Sequence, residues 1–245
     1  MKVSDKIADM YDGYYADGQV RVKREITARQ TVKHIEAMLG STGFRNLIDV
    51  GAGDGAVLAE IDRSRIADET HAVEISTSGC DAIRSRTLTR IRSVQQFDGY
   101  RIEAADQTFA AGIAIHVLEH VEHEREFLAE IGRVCERFYV EVPLELTLRT
   151  DRSIAMSGPY GHINFYTPTT FRNLLLTSGL MVEDLRVFAN SLEYEVLLGG
   201  RFKGRIKYFL RNVMLRVFPS KAPFFMTFLA GAVCTRVRPD LVSPS

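Results

Sequence analysis

Three glycines at alternate positions, Gly51, Gly53 and Gly55, stand between the apolar run Leu47–Val50 and a helical stretch beginning near Ala56. Glycine lets the backbone turn sharply and lets a ligand lie against it, because no Cβ intervenes. The first N–H groups of the following helix lack intrahelical acceptors and are available to a polar ligand. Strand, glycine turn and helix in that order form a cradle for a nucleotide-like cofactor. Asp49 stands just before the turn, and Glu74 ends the next apolar strand. A carboxylate at that second strand end suits a ribose, because it only accepts hydrogen bonds and its two oxygens can take both hydroxyls. Gly51, Gly53 and Ala56 also satisfy a G-x-G-x-x-A pattern, so a nicotinamide dinucleotide and another nucleoside cofactor both stay open here.

The histidines are the second group with chemistry to offer. The run HVLEHVEH, residues 116–123, holds three of the six histidines together with two glutamates, and His162 lies in GHINFYT, residues 161–167. Histidine titrates near neutral pH, which makes His116 and His162 candidates for a general base. His162 falls in the loop after the fifth strand, on the side where open α/β sheets bind ligands, and it reads equally as a loop residue bonded to backbone. Asp98-Gly99 is a turn signal.

The elements that position these groups alternate. Apolar residues at Ile26, Ala28, Val32, Ile35, Met38 and Leu39 mark one face of a helix over 26–39. Strands are expected at 45–50, 70–75, 93–97, 112–117, 138–142 (stopped by Pro143), 180–188 and 226–237. Helices fall between them, with Phe127, Leu128, Ile131 and Val134 on one amphipathic face and Gly179 capping the helix over 169–178. Residues 146–167 read as loop. Strands alternating with helices imply a parallel sheet with right-handed crossovers. The chain divides into an N-terminal helical flap (1–40), a core (45–188), an insertion (190–225) and a last strand (226–238), all within one domain.

Taken together, DVGAGDG at 49–55, VEIS at 73–76, IHVLEHV at 115–121, EVPLE at 141–145 and GHINFYT at 161–167 resemble the class I S-adenosylmethionine-dependent methyltransferases, in particular a small-molecule group with an HVLEHV-type fourth strand. The resemblance covers residues 45–188. It implies an α/β Rossmann-like three-layer sandwich, with a mostly parallel seven-stranded sheet and an antiparallel last strand. Asp49 and the backbone of Gly51 and Gly53 would hold the methionine end of S-adenosylmethionine, Glu74 the ribose, and Ile75 the adenine face. Asp98 and the Gly99 N–H would take the adenine edge, and His116 would sit near the sulfonium and the acceptor. The family's usual Phe-Asp before the fourth strand is Phe109-Ala110 here, which leaves a non-catalytic methyltransferase-like binding module, beside a nicotinamide-dependent reductase, as the rivals. Some O-methyltransferases of this kind carry a divalent cation on Glu-x-x-Glu-His. Here His116, Glu119 and His120 stand in those places and are read as organising the loop, with no metal. The expected partner is a small-molecule methyl acceptor, a sugar, natural-product intermediate or anionic or lipid-linked metabolite, methylated on oxygen or nitrogen.

Composition fits this reading. Lysine and arginine balance aspartate and glutamate at 31 each, so no overall field argues for nucleic acid. Cys80, Cys135 and Cys234 match no metal spacing and read as buried apolar residues in a cytoplasmic protein. The N-terminus has no signal-peptide pattern, and no apolar run is long enough to span a bilayer. One segment stands out. Gly199–Lys221 carries seven cations and no carboxylate, with Phe202, Ile206, Phe209, Leu210, Val213 and Val217 on one helical face. It reads as a surface helix packed on the domain or a second subunit, as a lid, or as a peripheral membrane contact. The aromatic YDGYYADG, residues 11–18, reads as a second flap.

Overall fold

A computed structural model describes residues 18–41, 43–157 and 161–237. The aromatic segment 11–17 and the tail after 237 lie outside the described residues. Strands β1 (Phe44–Val50), β2 (Ala67–Glu74), β3 (Ile91–Gln96), β4 (Phe109–Ile115), β5 (Cys135–Leu144), β6 (Leu180–Phe188) and β7 (Phe228–Arg236) form one sheet in the order β3-β2-β1-β4-β5-β7-β6. All neighbours are parallel except β7, which runs antiparallel to both β5 and β6. A dinucleotide-binding sheet continues past its fifth strand with a parallel sixth; the antiparallel β7 inserted between β5 and β6 departs from that plan.

The central strands are apolar on both faces because helices cover both. On one face α4 (Glu124–Val134) buries Phe127, Leu128, Ile131 and Val134, and α6 (Pro168–Thr177) buries Phe171, Leu174 and Leu175 against β4 and β5. On the other, α1 (Gly18–Met38) contributes Val32, Ile35 and Met38 and α2 (Ala56–Ser64) contributes Ile61. The short α3 (Thr77–Ser85) follows β2, its N-cap Ser76 accepting from the Gly79 N–H. The strand order reverses between β1 and β4, so a crevice opens at their carboxyl ends, where ligands bind in open α/β sheets.

Several boundaries differ from expectation. Helix α1 begins at Gly18, eight residues before the apolar pattern, because Arg21, Val22 and Lys23 are exposed and need no apolar stripe. Strand β5 runs through Pro143, which pairs with Leu229 one residue from the strand's end, where a missing N–H is tolerated. A short helix, α5 (Thr150–Ser157), occupies part of the stretch read as loop. The insertion folds as α7 (Leu192–Val217), broken at Gly200 (φ 72°, ψ 171°), followed by the single turn α8 (Ala222–Phe225). The apolar stripe of α7 does not cover the domain as a lid would: Phe202 is 79% and Phe209 65% exposed.

Gly231 shows how tightly β5 and β7 meet. A Cβ there would stand 2.2 Å from the hydroxyl oxygen of the fully buried Tyr139. Gly231→Ala is therefore expected to cost about 1–3 kcal/mol by overpacking. Urea unfolding measures it, with the loss appearing as a lower midpoint at unchanged m value.

Candidate functional site

At the switch point a cavity of about 740 Å³ is walled by α1, the glycine turn, the ends of β2 and β4, and the loops after β4 and β5. Gly51, Gly53 and Gly55 all take positive φ (80°, 57° and 75°), the backbone region that glycine enters without steric cost. Gly51 is also sterically required, since a Cβ would lie 2.6 Å from Val117 Cγ2. The Gly53 N–H donates to Glu74 Oε2 at 2.9 Å, and the Ser76 N–H and hydroxyl donate to Oε1 at 3.2 and 3.0 Å. Glu74 is 3% exposed, and this pins its carboxylate at the cavity wall beside Ile75. Asp54 fixes the turn from behind, through ion pairs to Arg24 and Arg86 at 3.0 Å each.

Asp49 lines the same cavity, and burial, then the neighbouring Glu74 charge, lifts its carboxyl to about 8. Among the described residues no ion pair reaches it. Gly99 and Tyr100 line the far side. The Asp98 carboxylate is exposed, and its Oδ1 accepts from the Tyr100 and Arg101 N–H groups at 2.9 and 2.8 Å, closing the turn that presents Gly99. Burial would raise Asp98, but these N–H groups outweigh it and hold the carboxyl low.

Two buried carboxylates and a histidine occupy the ends of β4 and β5. Glu141 is wholly buried and accepts from Thr31 Oγ1 at 2.8 Å, His34 Nδ1 at 2.7 Å and the Tyr139 hydroxyl at 2.6 Å. Burial would push it up; the contacts with His116 and His34 overturn that and hold it well below the usual carboxylate range. His116 takes φ +56°, an uncommon conformation for a residue with a Cβ and one that collects at functional sites. Its Nδ1 lies 3.4 Å from Glu119 Oε1 and its Nε2 3.5 Å from Glu141 Oε1, contacts of charge rather than of well-formed hydrogen bonds. Burial would lower this imidazole, yet the two carboxylates hold it up to about 10. Held in this way, His116 is a cation at neutral pH.

His162 is differently placed. Its Nδ1 is 2.5 Å from Glu145 Oε2 at the cavity wall, and it meets the His120 ring edge-on at 4.8 Å between centroids. Burial works against its proton, but Glu145 first and Glu119 next raise it above the usual histidine value. His120 Nδ1 donates to the Gly161 carbonyl at 3.3 Å. Glu119, His120 and His162 bring ligand-capable atoms within 4.8 Å of one another, so His162 replaces His116 in the grouping read from HVLEHVEH. Sequence reasoning missed Glu145 as the partner of His162; from α1, within the expected N-terminal helical flap, Lys23, Arg24, Thr27 and Gln30 line the cavity.

Comparison with known proteins agrees with this geometry. Residues 22–185 match the family described as methyltransferase domain, and the chain belongs to it. It is an S-adenosylmethionine-dependent class I methyltransferase, and the dinucleotide reading of the glycine turn falls away. Three solved structures share the fold. In a complex of the Haloferax volcanii Trm112 methyltransferase activator with a methyltransferase, the match has TM-score 0.67 and 15% identity over 95% of this chain and 99% of that one. Geranyl diphosphate C-methyltransferase from Streptomyces coelicolor gives 0.65 and 14%, over 95% and 97%. Phosphoethanolamine N-methyltransferase 2 of Haemonchus contortus gives 0.60 and 11%, over 86% and 53%. No curated protein matches in sequence. Among the described residues no helix is long and apolar enough to cross a membrane.

The charge state of His116 is directly observable. Imidazole nitrogen NMR should show a ring that stays protonated until about pH 10, and Glu119→Gln should lower that midpoint by removing one of the two anions. A His116 midpoint near the ordinary histidine value in the parent protein would contradict the clamp.

Proposed function

We propose that this cavity transfers a methyl group from S-adenosylmethionine to an oxygen or nitrogen of a small molecule. Asp49 is the observation that supports the reading best. A buried carboxyl lifted to about 8 beside a second carboxylate gains by meeting a cation and loses by meeting a diphosphate. S-adenosylmethionine brings two cationic groups, its sulfonium and its ammonium. Asp49 and the Gly51 and Gly53 backbone hold the methionine end, and the one acceptor position that Glu74 keeps on Oε2 beside its three protein bonds faces the ribose. Ile75 packs on the adenine, whose edge meets the Gly99 N–H and Asp98.

The sulfonium is an activated leaving group, so the protein chiefly aligns the acceptor for in-line displacement. His162 is the base for a hydroxyl acceptor. Glu145 fixes its tautomer by accepting from Nδ1, which leaves Nε2 to take the acceptor's proton as the methyl carbon bonds to oxygen. His116 positions: as an imidazolium it holds Glu119 and Glu141 in place. The HVLEHV run belongs with the small-molecule branch of the class. The relatives solved with geranyl diphosphate and with phosphomonomethylethanolamine are of that kind. The three cysteines are free and buried, in keeping with action in the cytoplasm.

Three outcomes check this reading. Calorimetry should show S-adenosylhomocysteine binding that Glu74→Gln weakens by about 1.5–3 kcal/mol, with thermal unfolding confirming an intact fold. S-adenosylmethionine should expel a proton on binding at pH 7, because the cation turns Asp49 into its anion, and calorimetry in buffers of different ionisation enthalpy should lose that signal in Asp49→Asn. Once an oxygen acceptor is found, His162→Gln should lower kcat by about 10²–10⁴-fold. The parent's kcat should rise with pH through a midpoint above the ordinary histidine value, as the raised ring loses its proton.

A further inference from the structure

We propose that the second half of α7 is an interfacial helix that seats the protein on an anionic lipid surface. At roughly 100° per residue, Phe202, Ile206, Phe209, Leu210, Val213 and Val217 fall in one stripe about 100° wide. Each is at least 40% exposed. The opposite side of the helix is the one that packs. There Gly204 lies against the first half of α7, where a Cβ would stand 2.5 Å from the Glu195 carbonyl oxygen. The fully buried Glu195 receives Arg211 Nη1 at 3.2 Å and Lys207 Nζ at 3.1 Å, and the Arg211 guanidinium lies over the Phe228 ring. Met214 and Leu215 reach the main core. A buried ion pair and a glycine contact therefore hold the apolar stripe outward.

More apolar side chains are uncovered just beyond the helix. Phe218, Phe224 and Phe225 are each about half exposed, and the Leu148 N–H bonds the Phe224 carbonyl at 2.9 Å, which adds the 77% exposed Leu148 beside them. Soluble proteins seldom leave so many large apolar side chains of one segment uncovered.

Charge decides what covers this face. Arg201, Lys203, Arg205, Arg216 and Lys221 are exposed and make no ion pair among the described residues. No aspartate or glutamate occurs from Val196 to Pro239. On the helical projection Arg201, Arg205 and Arg216 border one side of the stripe and Lys203 the other. An apolar stripe rimmed by cations matches a bilayer interface, where the stripe enters the acyl boundary and the cations meet lipid phosphates. A second copy docked through the same face would set like charges against each other. The inference does not depend on the methyl-transfer reading, since it concerns only this face.

The chain has no tryptophan, so Phe209→Trp introduces one clean reporter. With the full-length protein, its emission should shift to the blue on vesicles of phosphatidylcholine with 30% phosphatidylglycerol. The shift should be much smaller on phosphatidylcholine alone and should weaken as salt rises. In flotation assays, Phe202→Ser with Phe209→Ser, and separately Arg201→Glu with Arg205→Glu, should each reduce capture about ten-fold or more. Both variants should keep parent affinity for S-adenosylhomocysteine, which shows that they fold. No capture of the parent by anionic vesicles overturns the proposal. So does capture that the phenylalanine pair does not affect. A parent dimer that becomes monomeric on Phe202→Ser with Phe209→Ser, with no vesicle binding, would assign the face to a second copy instead.

Discussion

Burying carboxylates is the constraint around which this molecule is built. Asp49, Glu74, Glu119 and Glu141, each at most 3% exposed, cluster where the strands end and the cavity begins. An isolated buried charge is costly unless it is paired, bonded or neutralised. The protein meets that cost in a different way at each position. Glu74 takes three donors from the glycine turn and Ser76. Glu141 takes Thr31, His34 and Tyr139, so helix α1 is bound to the end of β5 through a single carboxylate. Glu119 draws on His116, which stays charged between it and Glu141. Asp49 alone is left to hold a proton.

That last asymmetry links structure to function. Three acids have partners from the chain, and the fourth waits for one from outside. In the proposed reading a ligand carrying positive charge completes the set, which suits a sulfonium cofactor better than a pyrophosphate. The same logic separates the two histidines. His116 lies between two buried acids and serves as a fixed cation. His162 has the half-buried Glu145 as its hydrogen-bonding partner, with Glu119 acting on it only through its charge, so it retains an orienting partner at the cavity wall. Away from the cavity, Glu195 repeats the pattern by drawing Arg211 and Lys207 inward, which turns the apolar stripe of α7 toward solvent.

Much of this could be read from the residues. The glycine turn, the Glu74 strand end and the αβ alternation are local signals, and local signals survive into the fold. The antiparallel β7 came with the family resemblance, but its place between β5 and β6 did not, since strand order depends on long-range pairing that periodicity does not encode. The strand through Pro143 was missed because a proline is a strong local stop, while the tolerance here comes from its place near the strand's end. The start of α1 was missed for the opposite reason: Arg21, Val22 and Lys23 are exposed and carry no apolar rhythm. The helix over 201–217 was legible as amphipathic, but its orientation was not. Apolar stripes usually face inward, and here a glycine contact and a buried ion pair, both formed with residues around Glu195, reverse that rule. The charge of His116 could not be inferred either, because Glu141 lies twenty-five residues away along the chain and one strand over.

The central claim is that the cavity holds S-adenosylmethionine with its ribose on Glu74 and its cationic end at Asp49. A crystal structure of the protein with S-adenosylhomocysteine tests it most directly. The account predicts a ribose hydroxyl on Glu74 Oε2, the adenine between Ile75 and the Gly99 turn, and the ammonium within ion-pair distance of Asp49. A ligand bound elsewhere, or one whose ribose and ammonium avoid these two acids, would contradict it.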